Sequence, residues 1–434
     1  MERELDVYAD LAGQPILVGR LWSRVSGSKE SASFEYEPGW LKRRDGFAVD
    51  PELPSTLGQF HTDCPLFRAF TDPAPDRWGQ NLLRRHERLR ARREGRRPRT
   101  LLAVDFLVLV DDETRLGALR FKQAGGEHFL STTGRPVPPV VDLPRLLGAT
   151  RRILDETETE EDLRLLLAPG TSLGGARPKA SVRDRDGHLL VAKFPRPDDD
   201  WPVTRWEAAA LAMAAAAGVD VPPSRMETVL RRPVVLLRRF DRQGSIRIPF
   251  MSSLTALVAA DHDARGYLDI VEVLRRDGAQ VERDLRQLWR RVVFNILVSN
   301  TDDHLRNHGF LRERRGWRLA PAYDLNPTPV DVKPRVHALA IDEVDATASL
   351  EAALSVAPKF GIANLAQARE IAAEVGAAVA RWRAVAARFG ITPAQAERMA
   401  SAFEHDDLHA ALGEGPRRGE QSRRRRRSSS VRDG

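Results

Sequence analysis

The 434-residue sequence contains a single cysteine, Cys64, which excludes a disulfide within the chain and a cysteine-rich zinc site. No apolar run approaches the roughly 18 residues that a membrane-spanning helix needs, because the best candidates, at 101–110 and 208–219, are interrupted or too short. The N-terminus lacks a basic region followed by an apolar stretch, so no secretory signal is predicted. We therefore expect a cytoplasmic, reduced protein.

Lysine is also scarce, since only seven of the 68 Lys and Arg residues are lysines. Where arginine is the usual cation, a lysine suggests that a compact point charge is needed. The arginines concentrate in two segments, with nine in Arg84–Arg99 and eight in Pro416–Gly434. Phosphate charge alone would draw nucleic acid to such segments, but solvated basic surface is the favoured interpretation.

Hydrophobic periodicity predicts a mixed N-terminal unit, then a small sheet around one helix, then a mostly helical region. The predicted strands are 5–8, 15–18, 31–36, 180–183, 189–194, 226–230 and 234–240. The predicted helices are 76–92, 143–167, 205–217, 284–299, 365–389 and 393–412. Residues from 413 onward are of low complexity and are expected to be disordered. This order predicts an α+β protein with a sheet lobe followed by a helical lobe.

The most informative polar segment is Asn300–Asn307, with the sequence NTDDHLRN, after an apolar helix. Protein kinases place a catalytic Asp and, five residues later, a magnesium-binding Asn in such a loop. Asp302 and Asn307 have this spacing. The spacing alone is common, and taken by itself it is better explained by a solvated polar loop.

A second segment strengthens the kinase interpretation of Asn300–Asn307. A short hairpin is predicted over residues 309–319, and it is followed by Pro321–Leu325, with the sequence PAYDL. Kinases place their main metal-binding Asp after such a hairpin. Asp324 would fill that role with Asn307, because magnesium prefers hard oxygen ligands. The alternative for Asp324 is the N-cap of a helix.

Two further segments fit nucleotide binding. Thr171–Lys179 is rich in glycine, and small residues let backbone N–H groups approach a phosphate closely. Lys193 follows an apolar strand, and Glu207 on the Ala-rich helix is placed to form the lysine–glutamate ion pair of kinases. A surface strand-end charge and a solvated helix residue are the alternatives.

Taken in order, these segments resemble HipA-type serine/threonine kinases, the toxin half of bacterial toxin–antitoxin pairs. The resemblance runs from Leu5 to about Leu412. Its most specific pieces are SLGGARPK at 172–179, VAKFP at 191–195, RFDR at 239–242, NTDDHLRN at 300–307 and PAYDL at 321–325. PDRWG at 75–79 and LGALRFK at 116–122 resemble the N-terminal domain of the family.

The resemblance implies ATP and Mg²⁺ as cofactors and a role for each site residue. Asp302 is the implied catalytic base, Asn307 and Asp324 hold the metal, and Lys193 contacts phosphates. The other implied nucleotide-contacting residues are Ser172, Gly174, Gly175, Ala176, Lys179, the backbone of Arg238 and Phe240, and His304, for which a structural role is favoured over proton transfer. Ser172 also matches the serine that the family autophosphorylates to inactivate itself.

The resemblance further implies a two-lobe, protein-kinase-like fold in four parts. These are an N-terminal subdomain at 1–125, a nucleotide-binding sheet lobe at 126–242, a helical catalytic lobe at 243–412 and a basic tail at 413–434. Two features depart from the family: Arg238 stands where a Glu is frequent, and the arginine-rich tail is not shared.

The expected function is a kinase toxin that phosphorylates a bacterial protein, a component of translation by analogy with the family. The implied partners are this protein substrate and a DNA-binding antitoxin, with DNA contacted only through the antitoxin. One alternative is a regulatory subunit that docks on the antitoxin and has little or no kinase activity. Direct nucleic acid binding ranks last, because the sequence has no recognisable helix-turn-helix or aromatic stacking array.

Overall fold

The computed structural model describes residues 2–27, 29–130, 136–170 and 175–414. The chain forms two compact units. The first unit comprises Met1–Asp200, Pro222–Asp263 and Leu305–Ala320. The second unit comprises Trp201–Val221, Ala264–His304 and Pro321–Gly434. From residue 415 onward, the tail that is predicted to be disordered lies outside the described residues. The limits of the four predicted domains stay a prediction.

All strands of the described residues belong to the first unit. In chain order they are β1 Glu2–Leu11, β2 Gln14–Ser26, β3 Lys29–Tyr36, β4 Gln59–Thr62, β5 Leu119–Gln123, β6 Lys179–Arg183, β7 Leu189–Lys193, β8 Ser224–Val229, β9 Arg232–Arg238, β10 Arg242–Gln243, β11 Ile246–Arg247, β12 Phe250–Ser252, β13 Gly309–Glu313 and β14 Gly316–Leu319. They form sheets of five, four, three and two strands.

The helices divide between the two units, and six of those described belong to the first. In chain order they are α1 Pro38–Leu41, α2 Arg77–Arg93, α3 Ala103–Leu109, α4 Leu143–Leu154, α5 Glu160–Gly170, α6 Val203–Ala216, α7 Ser253–Ala256, α8 Tyr267–Asp277, α9 Val281–Leu297, α10 Leu350–Val356, α11 Leu365–Val379, α12 Trp382–Arg388, α13 Pro393–Met399 and α14 Asp406–Ala411. Among the described residues, none of these helices combines the length and the apolar character that crossing a bilayer requires.

The five-stranded sheet is antiparallel, in the order β4-β3-β2-β1-β5. β1 and β2 are joined by a two-residue turn at Ala12 and Gly13, both with positive φ, as the type I′ hairpin requires. Side chains alternate between the two faces of a strand, and on β1 Leu5 and Val7 are fully buried in the same core as Phe34 of β3. The buried face of this sheet therefore contributes to the hydrophobic core of the N-terminal part of the first unit.

The four-stranded sheet is also antiparallel, in the order β6-β7-β9-β8. The β6–β7 turn contains the pair Asp186–Gly187, a sequence typical of hairpin turns, with Gly187 at a φ of +83°. Leu82 of α2 and Leu163 of α5 share a buried cluster with Val182 of β6 and Leu190 of β7. Because helices cover this face, the sheet is a rigid support for the residues at its strand ends.

The second unit is helical in its described residues, and α9 lies at its centre. The side chains of α9 from Leu288 to Leu297 are buried, with the exception of Arg290. The indole N–H of Trp289 donates to the carbonyl of Ala353 on α10 at 3.1 Å. This packing fixes the C-terminal end of α9, from which the predicted catalytic loop continues.

Three predicted helices are interrupted in the structure. Residues 143–167 form α4 and α5, separated where Glu156 adopts a φ of +56°. Residues 365–389 form α11 and α12, with a turn at 380–381 between them. Residues 393–412 break at a 3-10 turn, Ala400–Ala402, before α14 begins. Apolar side chains continue at helical spacing across the second and third breaks, so hydrophobic periodicity does not reveal those two.

The basic segment Arg84–Arg99 is partly neutralised within the first unit. Five of its nine arginines form ion pairs with carboxylates: Arg85–Glu158, Arg90–Glu94, Arg93–Glu160, Arg96–Glu87 and Arg99–Asp105. Arg84 also lies over the ring of Phe106, at 5.0 Å from its centroid. These contacts leave less positive charge for a phosphate backbone, in agreement with the favoured interpretation of the segment as basic surface rather than a nucleic acid site.

Candidate active site

Two lysines lie directly opposite each other on the four-stranded sheet. Lys179 begins β6 and pairs in register with Lys193, the last residue of β7. Residues directly opposite in an antiparallel pair place their side chains on the same face, where like charges are destabilising. The sequence therefore concentrates two of its seven lysines at the end of this strand pair, directly after the glycine-rich segment.

An aspartate from the N-terminal region reaches one of these lysines. The ammonium Nζ of Lys179 donates to Oδ2 of Asp76 at 2.9 Å, and both side chains are buried. The other oxygen of Asp76, Oδ1, accepts the backbone N–H of Gly79 at 2.7 Å and caps α2. The indole N–H of Trp78 donates to the carbonyl of Lys179 at 3.0 Å. The PDRWG segment therefore holds both the backbone and the side chain of Lys179.

The glycine-rich segment is described only from Gly175 onward. Ser172 and Gly174 lie outside the described residues, so their predicted roles stay predictions. Gly175 has a φ of +102°, which glycine adopts readily and other residues rarely adopt. Arg177 then forms an ion pair with Asp199, with Nη1 and Oδ1 2.8 Å apart, and anchors the end of the segment. Gly175 and Ala176 are exposed.

The RFDR segment, residues 239–242, is held within the first unit by a buried ion pair. Arg239 and Asp241 form a bidentate ion pair at 2.8 and 2.6 Å, with both side chains almost fully buried. Asp241 also accepts the backbone N–H of Gly117 at 2.8 Å. Burial opposes ionisation of Asp241, but the charges of Arg239 and Arg242 outweigh it and hold its pKa below the usual range.

The contacts of Arg239 and Asp241 fix the neighbouring backbone, which is predicted to contact the nucleotide base. Arg238 is the last residue of β9 and pairs with Leu190 of β7. The N–H of Arg239 donates to the carbonyl of Leu189 at 2.9 Å, so the chain stays attached to the sheet up to Phe240. The side chains of Arg238 and Phe240 are half-buried. The side chains of Arg239 and Asp241 are therefore structural, and the adenine contact stays a prediction.

The predicted catalytic loop leaves α9 in the second unit through an asparagine pair. The backbone N–H of Asn300 donates to the carbonyl of Asn295 at 2.9 Å, and their side-chain amides are joined at 3.1 Å. Ser299, between them in the chain, has a φ of +52°. A non-glycine residue with positive φ marks a sharp turn, and here it ends the helix and starts the loop.

Burial alternates along this loop. Asp303 is buried and accepts hydrogen bonds from the hydroxyl of Tyr267 at 2.6 Å and from Nδ2 of Asn295 at 2.9 Å. Burial, together with the charge of Asp303, raises the pKa of Tyr267 well above its usual value, so the hydroxyl keeps its proton. Asp302 and His304, on either side, are exposed. These hydrogen bonds make Asp303 an anchor of the loop, and the catalytic role of the exposed Asp302 stays a prediction.

Asp324 adopts a strained backbone conformation in the same unit. Its φ is +56°, which is uncommon outside glycine. The alternative role as a helix N-cap is excluded, since no described helix begins between Ala320 and α10. The N–H of Asn326 donates to Oδ1 of Asn300 at 3.3 Å, and the N–H of Thr328 donates to the carbonyl of Ser299 at 3.1 Å. The segment after Asp324 is thereby tied to the loop that carries Asp302.

Two cations further along strengthen this tie. Nζ of Lys333 donates to the carbonyl of Thr301 at 3.1 Å. Arg335 donates to the carbonyl of Ile296 at 3.0 Å and forms an ion pair with Asp407 at 2.7 Å. These contacts hold the irregular segment after Asp324 against the C-terminal end of α9.

Asn307 belongs to the first unit, in a 3-10 turn, Leu305–Asn307, immediately before β13. It is buried, and the hairpin predicted after it forms as β13 and β14. Of the other predicted site residues, Lys179, Lys193, Arg238 and Phe240 are in the first unit, while Glu207, Asp302, His304 and Asp324 are in the second. The predicted pairing of Lys193 with Glu207 and the shared metal role of Asn307 and Asp324 stay predictions.

Sequence reasoning missed four residues that support the site: Asp76, Trp78, Asn295 and Tyr267. The PDRWG segment, which contains the first two, resembles the N-terminal domain of the family, but nothing local in it indicates a bond to Lys179. A cluster of metal-binding residue types, Asp184, Asp186 and His188, was also not predicted. It lies in the β6–β7 turn, where Asp184 accepts the N–H groups of the other two residues.

Comparison with known proteins relates part of the chain to a family model. The model of the HipA-like C-terminal domain matches residues 171–383, which contain the opposed lysines, the RFDR segment and the catalytic loop. "Putative kinase Y4mE" of Sinorhizobium fredii is 30% identical over 235 residues, which are 46% of this chain and 53% of that protein. "Putative kinase Y4dM" of the same organism is 30% identical over 139 residues, or 28% and 33% of the two chains. The chain thus spans about half the length or less of these relatives.

A solved structure extends the likeness to nearly the whole chain. HipA of Shewanella oneidensis, in its complex with HipB and operator DNA, superposes with a TM-score of 0.62 and 16% identity, over 94% of this chain and 96% of that one. The predicted α+β, HipA-like fold and the resemblance to HipA-type proteins are confirmed.

Proposed function

We propose that the chain is a serine/threonine protein kinase that transfers the γ-phosphate of ATP with the help of Mg²⁺. The observation that carries this proposal is the register of β6 and β7, which sets Lys179 opposite Lys193 directly after the glycine-rich segment. Two ammonium groups on one face of a rigid sheet suit the closely spaced charges of a polyphosphate. The names of the two Sinorhizobium relatives agree with a kinase.

Phosphate transfer depends on positioning and charge neutralisation more than on covalent chemistry from the protein. In this proposal, Lys193 and Lys179 contact the phosphates and the backbone at Gly175 and Ala176 closes over them. The backbone of Arg238 and Phe240 holds the adenine. The exposed Asp302 accepts the hydrogen bond of the substrate hydroxyl and orients it toward the γ-phosphate. The bonds from Tyr267 and Asn295 to Asp303 keep the loop in place while this happens.

The residues assigned to the metal fit magnesium in chemical type. Asn307 offers an amide oxygen and Asp324 a carboxylate, the hard donors that Mg²⁺ accepts together with phosphate oxygens and water. When bound, the ion neutralises charge on the transferred phosphate. The role of Asp324 is also supported by its positive φ, because strained backbone concentrates at functional positions.

We further propose that the kinase works as a toxin beside a DNA-binding antitoxin, in the cytoplasm, and phosphorylates a protein of the translation apparatus. The support is the fold shared with Shewanella HipA, whose structure contains HipB and operator DNA. In this proposal, autophosphorylation of Ser172 inactivates the enzyme. A phosphate there adds about −1.5 to −2 charge to a segment suited to the phosphates of ATP.

The test is transfer of label from γ-labelled ATP to proteins of a bacterial lysate, followed by identification of the labelled bands by mass spectrometry. The wild-type protein should label at least one lysate protein. Asp302→Asn should reduce labelling by about 100-fold or more, the usual contribution of a positioned base.

The matched control is Asp331→Asn, which changes an exposed aspartate of the same unit that pairs with Arg398 at the surface. It should label as the wild type does. Equal labelling by Asp302→Asn and the wild type would contradict the assignment of the base. A wild-type protein that binds the antitoxin but labels nothing would support the regulatory-subunit alternative.

A further inference from the structure

The contact between Asp76 and Lys179 joins two parts of the first unit that are 103 residues apart in the sequence. The exposed fractions of the two side chains are 6% and 3%, so water screens this ion pair only weakly. Breaking a buried pair by removing one charge is costly, because the other charge stays buried without compensation. The charge on Asp76 therefore bears directly on the state of Lys179.

We propose that Asp76 is a positioning residue for nucleotide binding, which acts by holding the ammonium of Lys179 where a polyphosphate meets it. This inference rests on the proposed function, since it concerns the same phosphate site. It extends the site to an N-terminal segment that lies outside the matched domain, residues 171–383.

The position of the Asp76 carboxylate is fixed before it meets the lysine. Its Oδ1 accepts the N–H of Gly79 at the start of α2, a helix of 17 residues packed in the core through Trp78, Leu82 and Leu83. An N-cap of this kind restrains the side chain to one orientation. Oδ2 then points to Nζ of Lys179 with little freedom, and the strand follows through the bond from Trp78 to the Lys179 carbonyl.

The carboxylate also offsets the repulsion between the opposed lysines. Lys179 and Lys193 face each other in register, and a buried anion beside one of them lowers the electrostatic cost of that arrangement before nucleotide arrives. An ammonium has three donors, so a bond to Asp76 is compatible with simultaneous bonds to phosphate oxygens. Asp76 therefore aims Lys179 at the phosphates and does not compete with them for it.

The first experiment compares Asp76→Asn with Asp76→Glu and with the control Asp105→Asn. Asparagine is as good an N-cap as aspartate, so Asp76→Asn removes the charge and keeps the cap. Asp105 is a matched control, since it is a buried aspartate that accepts the N–H of Leu102 near the start of α3 and pairs with Arg99, away from the lysines.

Asp76→Asn should raise the KM for ATP at least about tenfold with kcat changed less than about threefold, the size expected for losing a hydrogen bond to a charged group. Asp76→Glu should recover most of the affinity, and Asp105→Asn should keep the wild-type KM. A wild-type KM in Asp76→Asn, or a lower one, would overturn the positioning role. Equal losses in Asp76→Asn and Asp105→Asn would reduce the effect to general destabilisation and overturn it as well.

The second experiment measures the chemical reactivity of the Lys179 side chain and does not depend on kinase activity. Trace labelling with acetic anhydride, read by peptide mass spectrometry, should show Lys179 reacting faster in Asp76→Asn than in the wild type, with Lys359 as the internal standard. ATP should protect Lys179 in the wild type. Unchanged reactivity of Lys179 in Asp76→Asn would overturn the inference. Failure of ATP to bind or protect the wild type would instead count against the proposed function.

Discussion

The hydroxyl of Tyr267 donates a 2.6 Å hydrogen bond to the carboxylate of Asp303, a residue 36 positions further along the chain. Both groups are buried, and Asp303 also accepts a bond from Asn295. Asp302, its neighbour, is exposed. Two adjacent aspartates thus have opposite environments: Asp303 is buried and fixes the loop in place, and Asp302 is exposed.

Tyr267→Phe should therefore lower both stability and activity. The buried carboxylate of Asp303 loses a hydrogen-bond donor, and the substitution opens too little space for another donor to replace it. We expect about 1–3 kcal/mol of lost unfolding free energy, the usual cost of an unmet charged acceptor, and a clear fall in kcat at an unchanged KM for ATP. Urea unfolding and steady-state kinetics measure the two effects. Tyr8→Phe, on β1, is the control, and a Tyr267→Phe enzyme with full kcat would show that the anchor does not matter for transfer.

Asp324→Asn should weaken magnesium-dependent ATP binding more than Asp302→Asn does. The reason is that we propose Asp324 as a metal ligand and Asp302 as a contact of the substrate hydroxyl alone. Asparagine tolerates the positive φ at 324. Calorimetry with ATP in the presence and absence of Mg²⁺ gives the comparison. Equal affinities in the two variants would contradict this division of roles.

His337 should make the second unit sensitive to acid. Burial lowers the pKa of His337 to about 4, although the nearby Asp303 opposes this shift. Within the part of the chain that the structure describes, neither ring nitrogen has a hydrogen-bond partner. The unfolded chain binds a proton near pH 6.5, so stability is present above that pH and is lost as the pH falls toward 4. The loss should reach about 3 kcal/mol at most.

Urea unfolding between pH 7 and 4.5 tests this prediction. His337→Phe should flatten the decline, whereas His262→Phe, which changes an exposed histidine, should leave it as in the wild type. The same slope in His337→Phe and the wild type would assign the acid sensitivity to other groups.

Ser172→Ala should remain active longer than the wild type in an ATP time course, since it cannot carry the inactivating phosphate. The phosphorylated wild-type protein should bind ATP poorly, because the added charge repels the nucleotide phosphates. Mass spectrometry of protein incubated with ATP and Mg²⁺ locates the phosphate. Phosphate found only at other residues, or full ATP affinity of the Ser172-phosphorylated form, would contradict this switch.

Local signals in the sequence predicted most of the elements that position the site. The Asp–Gly turn before Leu189, the paired strands around it and the hairpin after Asn307 follow from turn chemistry and alternation. The family resemblance added the roles of Lys193 and Asp302, which spacing alone left open. The breaks within 365–389 and 393–412 stayed hidden, since apolar periodicity continues across them.

The contacts that support the site could not be predicted in this way. Asp76 meets Lys179 across 103 residues and Tyr267 meets Asp303 across 36, so only the folded chain brings each pair together. Periodicity also does not tell which of two adjacent aspartates is buried in an irregular loop. That choice depends on the donors that α8 and α9 offer to Asp303.

The central claim, phosphoryl transfer from ATP by this chain, is tested most directly by the position of the label in ATP. Protein is incubated with Mg²⁺ and a lysate in parallel with ATP labelled at the γ-phosphate and at the α-phosphate. A kinase transfers label from the γ-position only, and Asp302→Asn should abolish it. Label from the α-position, undiminished transfer by Asp302→Asn, or no transfer by the wild type would contradict the account.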